Sequence, residues 1–144
     1  MKTVNPYLVF NGNCEEAFNF YKNIFGGVFQ FLGRFSDMPE ADCKDMPDES
    51  MNKIMHVSLP ISKETILMGS DANPNMGDIN TGNNVSLSIG TDSKEEADAI
   101  FNSLSKGGKV TMSMQDTFWG SYFGMLEDKY GFIWMVGYDS VEQK

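Results

Sequence analysis

The 144-residue chain contains a single histidine, His56. Imidazole is the commonest metal ligand and general base at neutral pH. One copy excludes a two-histidine metal site within a subunit and weighs against a histidine-based triad. Cysteine is nearly as scarce. Cys14 and Cys43 make no C-x-x-C pair and too few bridges for a disulfide framework. No apolar run approaches the roughly 20 residues of a membrane span. Met1–Pro6 shows no signal-peptide apolar region, so a reduced cytoplasm is the expected location. Basic residues are few as well: 11 against 20 acids, a net charge of −9. Such a field repels phosphate, which argues for no nucleic acid and no membrane as partner.

That acidity is uneven. Ser36–Asn52 holds Asp37, Glu40, Asp42, Asp45, Asp48 and Glu49 against Lys44, a local charge of −5 that leaves −4 for the remaining residues. The expected role of this long polar segment is a solvated loop, with a functional lid as the second reading.

What the chain does have is apolar material. Hydrophobic residues reach 41%, with 11 Phe, enough for the core of one domain. An internal duplication organises it. Glu15-Glu16-Ala17 recurs as Glu95-Glu96-Ala97, 80 residues on. Tyr21 matches Phe101 and Ile24 matches Leu104. Gly26-Gly27 matches Gly107-Gly108 after one inserted residue. Each copy reads as a strand, a helix, a Gly-Gly break and further strands. Ser93 and Glu96 form a capping box, and Asn13 with Glu16 an Asn variant of one. Gly26 and Gly107 suit the left-handed residue that ends a helix.

Strand-like runs are Val4–Phe10, Val28–Phe35, Lys53–Leu59 and Glu64–Ser70 in the first half. In the second they are Asn84–Gly90, Lys109–Gln115, Gly120–Glu127 and Phe132–Tyr138. Asp128-Lys129-Tyr130-Gly131 reads as a tight turn. The expected fold is α+β: two β-α-β-β-β modules, residues 3–71 and 84–138, joined by a linker over 72–83 in one domain spanning 1–144. One helix covers one face of a four-stranded sheet. Two such modules can enclose a cleft.

This plan resembles the vicinal oxygen chelate superfamily, which includes glyoxalase I, extradiol dioxygenases and bleomycin-resistance proteins. Within it the chain is similar to the PhnB-like branch. The motifs that carry the resemblance are Pro6-Tyr7-Leu8, Phe10-Asn11-Gly12-Asn13-Cys14-Glu15-Glu16-Ala17, Met55-His56, Leu67-Met68, Ser70-Asp71 and Gln115-Asp116-Thr117-Phe118-Trp119-Gly120. Tyr122, Gly124, Asp128, Gly131 and Trp134 extend them. The resemblance implies a homodimer and a mostly antiparallel, mixed, cupped sheet. In the metal enzymes of the superfamily, ligands come from the first and last strands of each half. The matching positions here are Asn5 to Tyr7, Asn84 to Ser86, Met68 to Ser70 and Met135. None is His, Glu or Cys. Asp71, one residue beyond the third, is a weak oxygen ligand at best. The PhnB-like domain is often labelled a demethylubiquinone methyltransferase, yet no G-x-G-x-x-G loop is present to receive adenosylmethionine.

The expected function is therefore binding of an unidentified small apolar or aromatic molecule, with no metal and no cofactor. The alternatives are a metal-dependent lyase or dioxygenase using Asp71 and His56, or a metal-free isomerase using His56. His56 reads either as a catalytic acid/base or as a packed strand residue. Tyr7, Ser86, Ser88, Gln115, Trp119 and Tyr122 are the expected cleft residues, as hydrogen-bonding or stacking groups. Cys14 reads as a small buried hydrophobe.

Overall fold

The computed structural model describes residues 2–73 and 77–139. Residues 74–76 of the expected linker, and residue 1 and residues 140–144 of the expected domain, lie outside the described residues. The chain divides into two compact units, Met1–Asn80 and Thr81–Lys144. Each carries four strands and one long helix.

In the first unit β1 (Tyr7–Phe10) leads into α1 (Cys14–Phe25), then β2 (Phe31–Arg34), β3 (Ile54–Pro60) and β4 (Ile66–Asp71). The spatial order is β1-β4-β3-β2. β1 runs parallel to β4, and the other pairs are antiparallel. In the second unit β5 (Leu87–Gly90) leads into α3 (Lys94–Ser105), β6 (Lys109–Asp116), β7 (Ser121–Glu127) and β8 (Ile133–Asp139). The order is β5-β8-β7-β6, with β5 parallel to β8. The duplicated β-α-β-β-β plan is thus present in both units. The matched positions behave alike: Ala17 and Ala97, and Tyr21 and Phe101, are buried.

Three strands start three residues later than their sequence suggests, for local reasons. β2 begins at Phe31, beyond which the register would set Gln30 against Leu59 and then Phe29 against Pro60, which has no N–H to donate. β1 begins at Tyr7 because the Asn5 side chain, through Oδ1, accepts from Ile66 N at 3.1 Å in place of a backbone partner. β5 begins at Leu87, opposite Trp134, and the start of β8 at Ile133 leaves a partner for at most one earlier residue.

The caps also differ. Ser93 Oγ accepts from Glu96 N at 3.0 Å, as the capping box requires. The Asn13 side chain makes no such bond. α1 is instead capped from β4: Asp71 Oδ1 accepts from Gly12 N at 3.0 Å and Cys14 N at 2.9 Å. Gly26 and Gly107 have φ of 80° and 75°, positive values that glycine adopts freely, but Gly26, with ψ of −172°, is not the αL residue expected there.

The acidic segment is more structured than a solvated loop. It forms a turn at Phe35–Asp37, a one-turn helix α2 (Glu40–Cys43) and a second turn at Asp48–Ser50. Phe35 and Cys43 are buried, which anchors it. Arg34 holds its start against α1 through two bonds to Glu15, at 3.0 and 2.7 Å, and Arg34 Nη1 also donates to the Asn52 carbonyl at 2.9 Å. No described helix is long and apolar enough to cross a membrane.

Candidate functional site

Strand register decides which face each side chain takes. In the first unit Leu8, Gly69, Val57 and Leu59 share the face packed by α1. Gly69 is required there, because a Cβ would come 2.6 Å from the Leu8 carbonyl oxygen and 2.7 Å from the Phe18 ring. The opposite face carries Tyr7, Met68, Ser58 and Phe31 in one row across the four strands. His56 and Gly33 pair in the adjoining row.

His56 leans toward β1. Its Nδ1 lies 3.2 Å from the Tyr7 hydroxyl, and the two rings stack with centroids 5.6 Å apart. The Phe31 ring lies on the other side, 5.8 Å away. Three rings therefore form a row on the face away from α1. Tyr7 and Phe31 keep 46% and 48% of their surface exposed, so the row is reachable by a small molecule. Gly33 makes room for it: a Cβ there would sit 2.8 Å from the Phe31 ring. His56 Nε2 has no hydrogen-bond partner among the described residues.

The second unit distributes the other expected residues. Ser88 pairs with Met135, Met135 with Met125, and Gln115 with Phe123, on the face away from α3. Trp119 joins them through an edge contact with Phe123 at 5.9 Å. Phe118 packs on Trp119 at 5.0 Å but is 97% exposed. Ser86 lies one residue before β5 and is half-buried. Tyr122 lies apart from this group, contrary to its expected place among them. Its register with Tyr138 puts it on the α3 side, where its hydroxyl donates to Asp98 Oδ1 at 2.6 Å. That bond and the nearby carboxylate charge raise the Tyr122 pKa above the usual phenol value.

Two buried aspartates are occupied by structural bonds. Asp71 Oδ2 accepts from Ile54 N at 2.8 Å, in addition to the two bonds at Oδ1. Asp128 accepts from Tyr130 N, Phe132 N and the Trp134 indole N–H, at 2.8, 3.0 and 2.8 Å. This closes the Asp128–Gly131 turn as expected. Burial pushes the Cys14 thiol strongly upward, with Asp71 and Glu15 adding to the shift. A thiol held neutral in this way is a packing group and a poor nucleophile.

The donor set does not fit a divalent metal. Asp71 shares the α1 face with Gly69, whereas His56 lies on the opposite face. Met135 offers only a soft thioether, a poor ligand for a hard divalent ion. No group of three or more His, Cys, Asp or Glu among the described residues is placed to hold a metal ion.

The family model described as 3-demethylubiquinone-9 3-methyltransferase matches residues 2–137. This chain belongs to that PhnB-like family. As a family member it is 39% identical to protein PA1353 from Pseudomonas aeruginosa, with 96% of this chain and 98% of that one covered at a TM-score of 0.84. It is 31% identical to protein YjdN from Escherichia coli over 92% of each chain. The PhnB protein from Bacillus cereus shares the fold at 22% identity and a TM-score of 0.73, covering 95% and 99% of the two chains. Glyoxalase-related and fosfomycin-resistance proteins also share the fold, at 14% identity or less. The α+β, duplicated architecture is therefore that of the glyoxalase and vicinal oxygen chelate group.

The Tyr7–His56 contact had no local sequence signal. The two residues are 49 positions apart and meet only because β4 lies between their strands. Phe31 and Gly33 carry no local signal either; strand order alone brings them beside His56.

Proposed function

We propose that this protein binds a small planar aromatic or apolar molecule against the Tyr7–His56–Phe31 row, without metal. The single observation that carries this reading is the row itself: three adjacent rings, half-exposed, on a sheet face away from the helix. Flat ligands stack on such surfaces, and a polar edge on an apolar body gives orientation. The mismatch between the donors present and a metal ion supports the metal-free part. Methyl transfer, named in the family's description, has no support in this chain, which offers no G-x-G-x-x-G loop for a nucleotide-like methyl donor. The same reading has the protein acting as a homodimer in the cytoplasm.

A thermal-shift screen of aromatic compounds on untagged, EDTA-treated protein tests it. A ligand at a hundred times its dissociation constant adds about 2.7 kcal/mol of stability. No response across a broad aromatic library, or binding only after a divalent metal is restored, would overturn the proposal. Light scattering that gives a 16.1 kDa particle would remove the dimer.

A second reading, metal-free isomerisation with His56 as acid/base, draws on the Tyr7 hydroxyl at Nδ1. That contact orients the ring and leaves Nε2 to exchange a proton. A His56→Ala protein that keeps any isomerase activity found would exclude it.

A further inference from the structure

We propose that the ligand of the first unit's ring row is an uncharged aromatic molecule bearing one hydroxyl or carbonyl oxygen, held at that oxygen by His56 Nε2. This rests on the binding reading above and adds the chemical class.

Two independent observations carry it. The first is charge. The paired positions on this face, Tyr7, Met68, Ser58 and Phe31 with Gly33 and His56 beside them, include no Lys, Arg, Asp or Glu. Arg34 and Lys53, the nearest basic residues in sequence, are engaged elsewhere, by Glu15 and by the Gly12 carbonyl. An anion would lose hydration here with no cation to replace it, inside a chain of net charge −9. A cation would find no carboxylate on the face.

The second is hydrogen-bond adaptability. A phenolic hydroxyl both donates and accepts, and a neutral imidazole has one donor and one acceptor nitrogen. When Tyr7 donates to Nδ1, Nε2 carries the proton and donates to a ligand carbonyl. When a ligand hydroxyl donates to Nε2, Nδ1 carries the proton and donates to the Tyr7 oxygen. The 3.2 Å contact serves both arrangements without moving either ring. A neutral oxygen of either kind is therefore matched, and the rings beside His56 accept the flat body attached to it.

Four probes of one shape test this: 2-naphthol, naphthalene, 2-naphthoate and 2-naphthylmethylammonium. Affinities are read by NMR titration of the untagged full chain at neutral pH, following the Tyr7, Phe31 and His56 signals. The expected order has 2-naphthol about tenfold tighter than naphthalene, the ratio set by roughly one net hydrogen bond. Both charged probes bind at least about tenfold more weakly than 2-naphthol. A His56→Phe protein keeps a ring in place and loses the preference for 2-naphthol over naphthalene. A charged probe that binds as tightly as 2-naphthol overturns the proposal, as does a preference that survives in His56→Phe. If none of the four perturbs these signals, the binding reading itself fails and the proposal falls with it. If naphthalene binds with no preference for 2-naphthol, only the hydrogen-bonding class is lost.

Discussion

Tyr7 and His56 stand on different strands, separated by β4, with hydroxyl and Nδ1 3.2 Å apart and rings stacked at 5.6 Å. The contact uses the sheet's parallel and antiparallel pairs together. It gives the lone histidine a fixed orientation on a face otherwise made of apolar and neutral side chains. Replacing Tyr7 with Phe keeps the stacking and removes the hydroxyl. The bond is exposed, so the expected loss of stability is below about 1 kcal/mol by urea denaturation. A loss well above that would mean that the pair holds the fold together.

Asp71 has a different weight. Three backbone N–H groups from two separate segments converge on its carboxylate, which is only 3% exposed. Asn at this position keeps the shape but turns an NH2 group toward N–H donors. We expect Asp71→Asn to cost about 2–4 kcal/mol, through lost charge-assisted bonds and unpaired donors. Denaturation midpoints would show it; a cost under about 1 kcal/mol would contradict the capping role.

Two glycines separate stability from binding. At Gly69 an added Cβ meets a backbone carbonyl and the buried Phe18 ring. At Gly33 its nearest neighbours are the ring of half-exposed Phe31 and, more loosely, the end of Met55. Gly69→Ala is expected to lower stability by about 2 kcal/mol or more, because backbone must shift in a packed core. Gly33→Ala should cost about 1 kcal/mol or less while displacing Phe31 and weakening aromatic ligands. Equal destabilisation by the two variants would refute this division.

The Glu15–Arg34 pair gives a pH signature. The hydrogen bond from Arg34 lowers the Glu15 pKa, with Coulomb attraction from Arg34 and Lys53 assisting and desolvation opposing. A depressed carboxylate contributes stability above its unfolded pKa and loses it as pH falls through the folded value. The contribution is therefore present at neutral pH and fades on the acid side of about 4.3, the ordinary Glu value. Both side chains are substantially exposed, so screening limits the effect to a few tenths of a kcal/mol or so. Glu15→Gln should flatten the acid limb slightly between pH 5 and pH 3, a difference that added salt reduces. A larger gap at high salt would point to another group.

The duplicated helices, their apolar stripes and the strands after them were legible in the chain, because periodicity and capping chemistry are local. Ala17, Tyr21, Ala97 and Phe101 face inward as their spacing requires. The shift of Asn13 from cap to bystander was not legible, since its replacement, Asp71, comes from the far end of the unit. Nor was the internal order of the acidic segment, which depends on Phe35 and Cys43 finding buried places.

The site shows the same division. Sequence by itself determined the residue types: one histidine, no basic cluster, and methionine or neutral residues where a metal enzyme needs ligands. Only the tertiary structure decided which of them meet. It set His56 beside Tyr7 and Phe31, sent Tyr122 to the helix side, and placed Asp71 on the face opposite His56. The reason is geometric. A strand fixes only the alternation of its own side chains, whereas strand order and register, set by hydrogen bonds between distant segments, fix which alternating faces coincide.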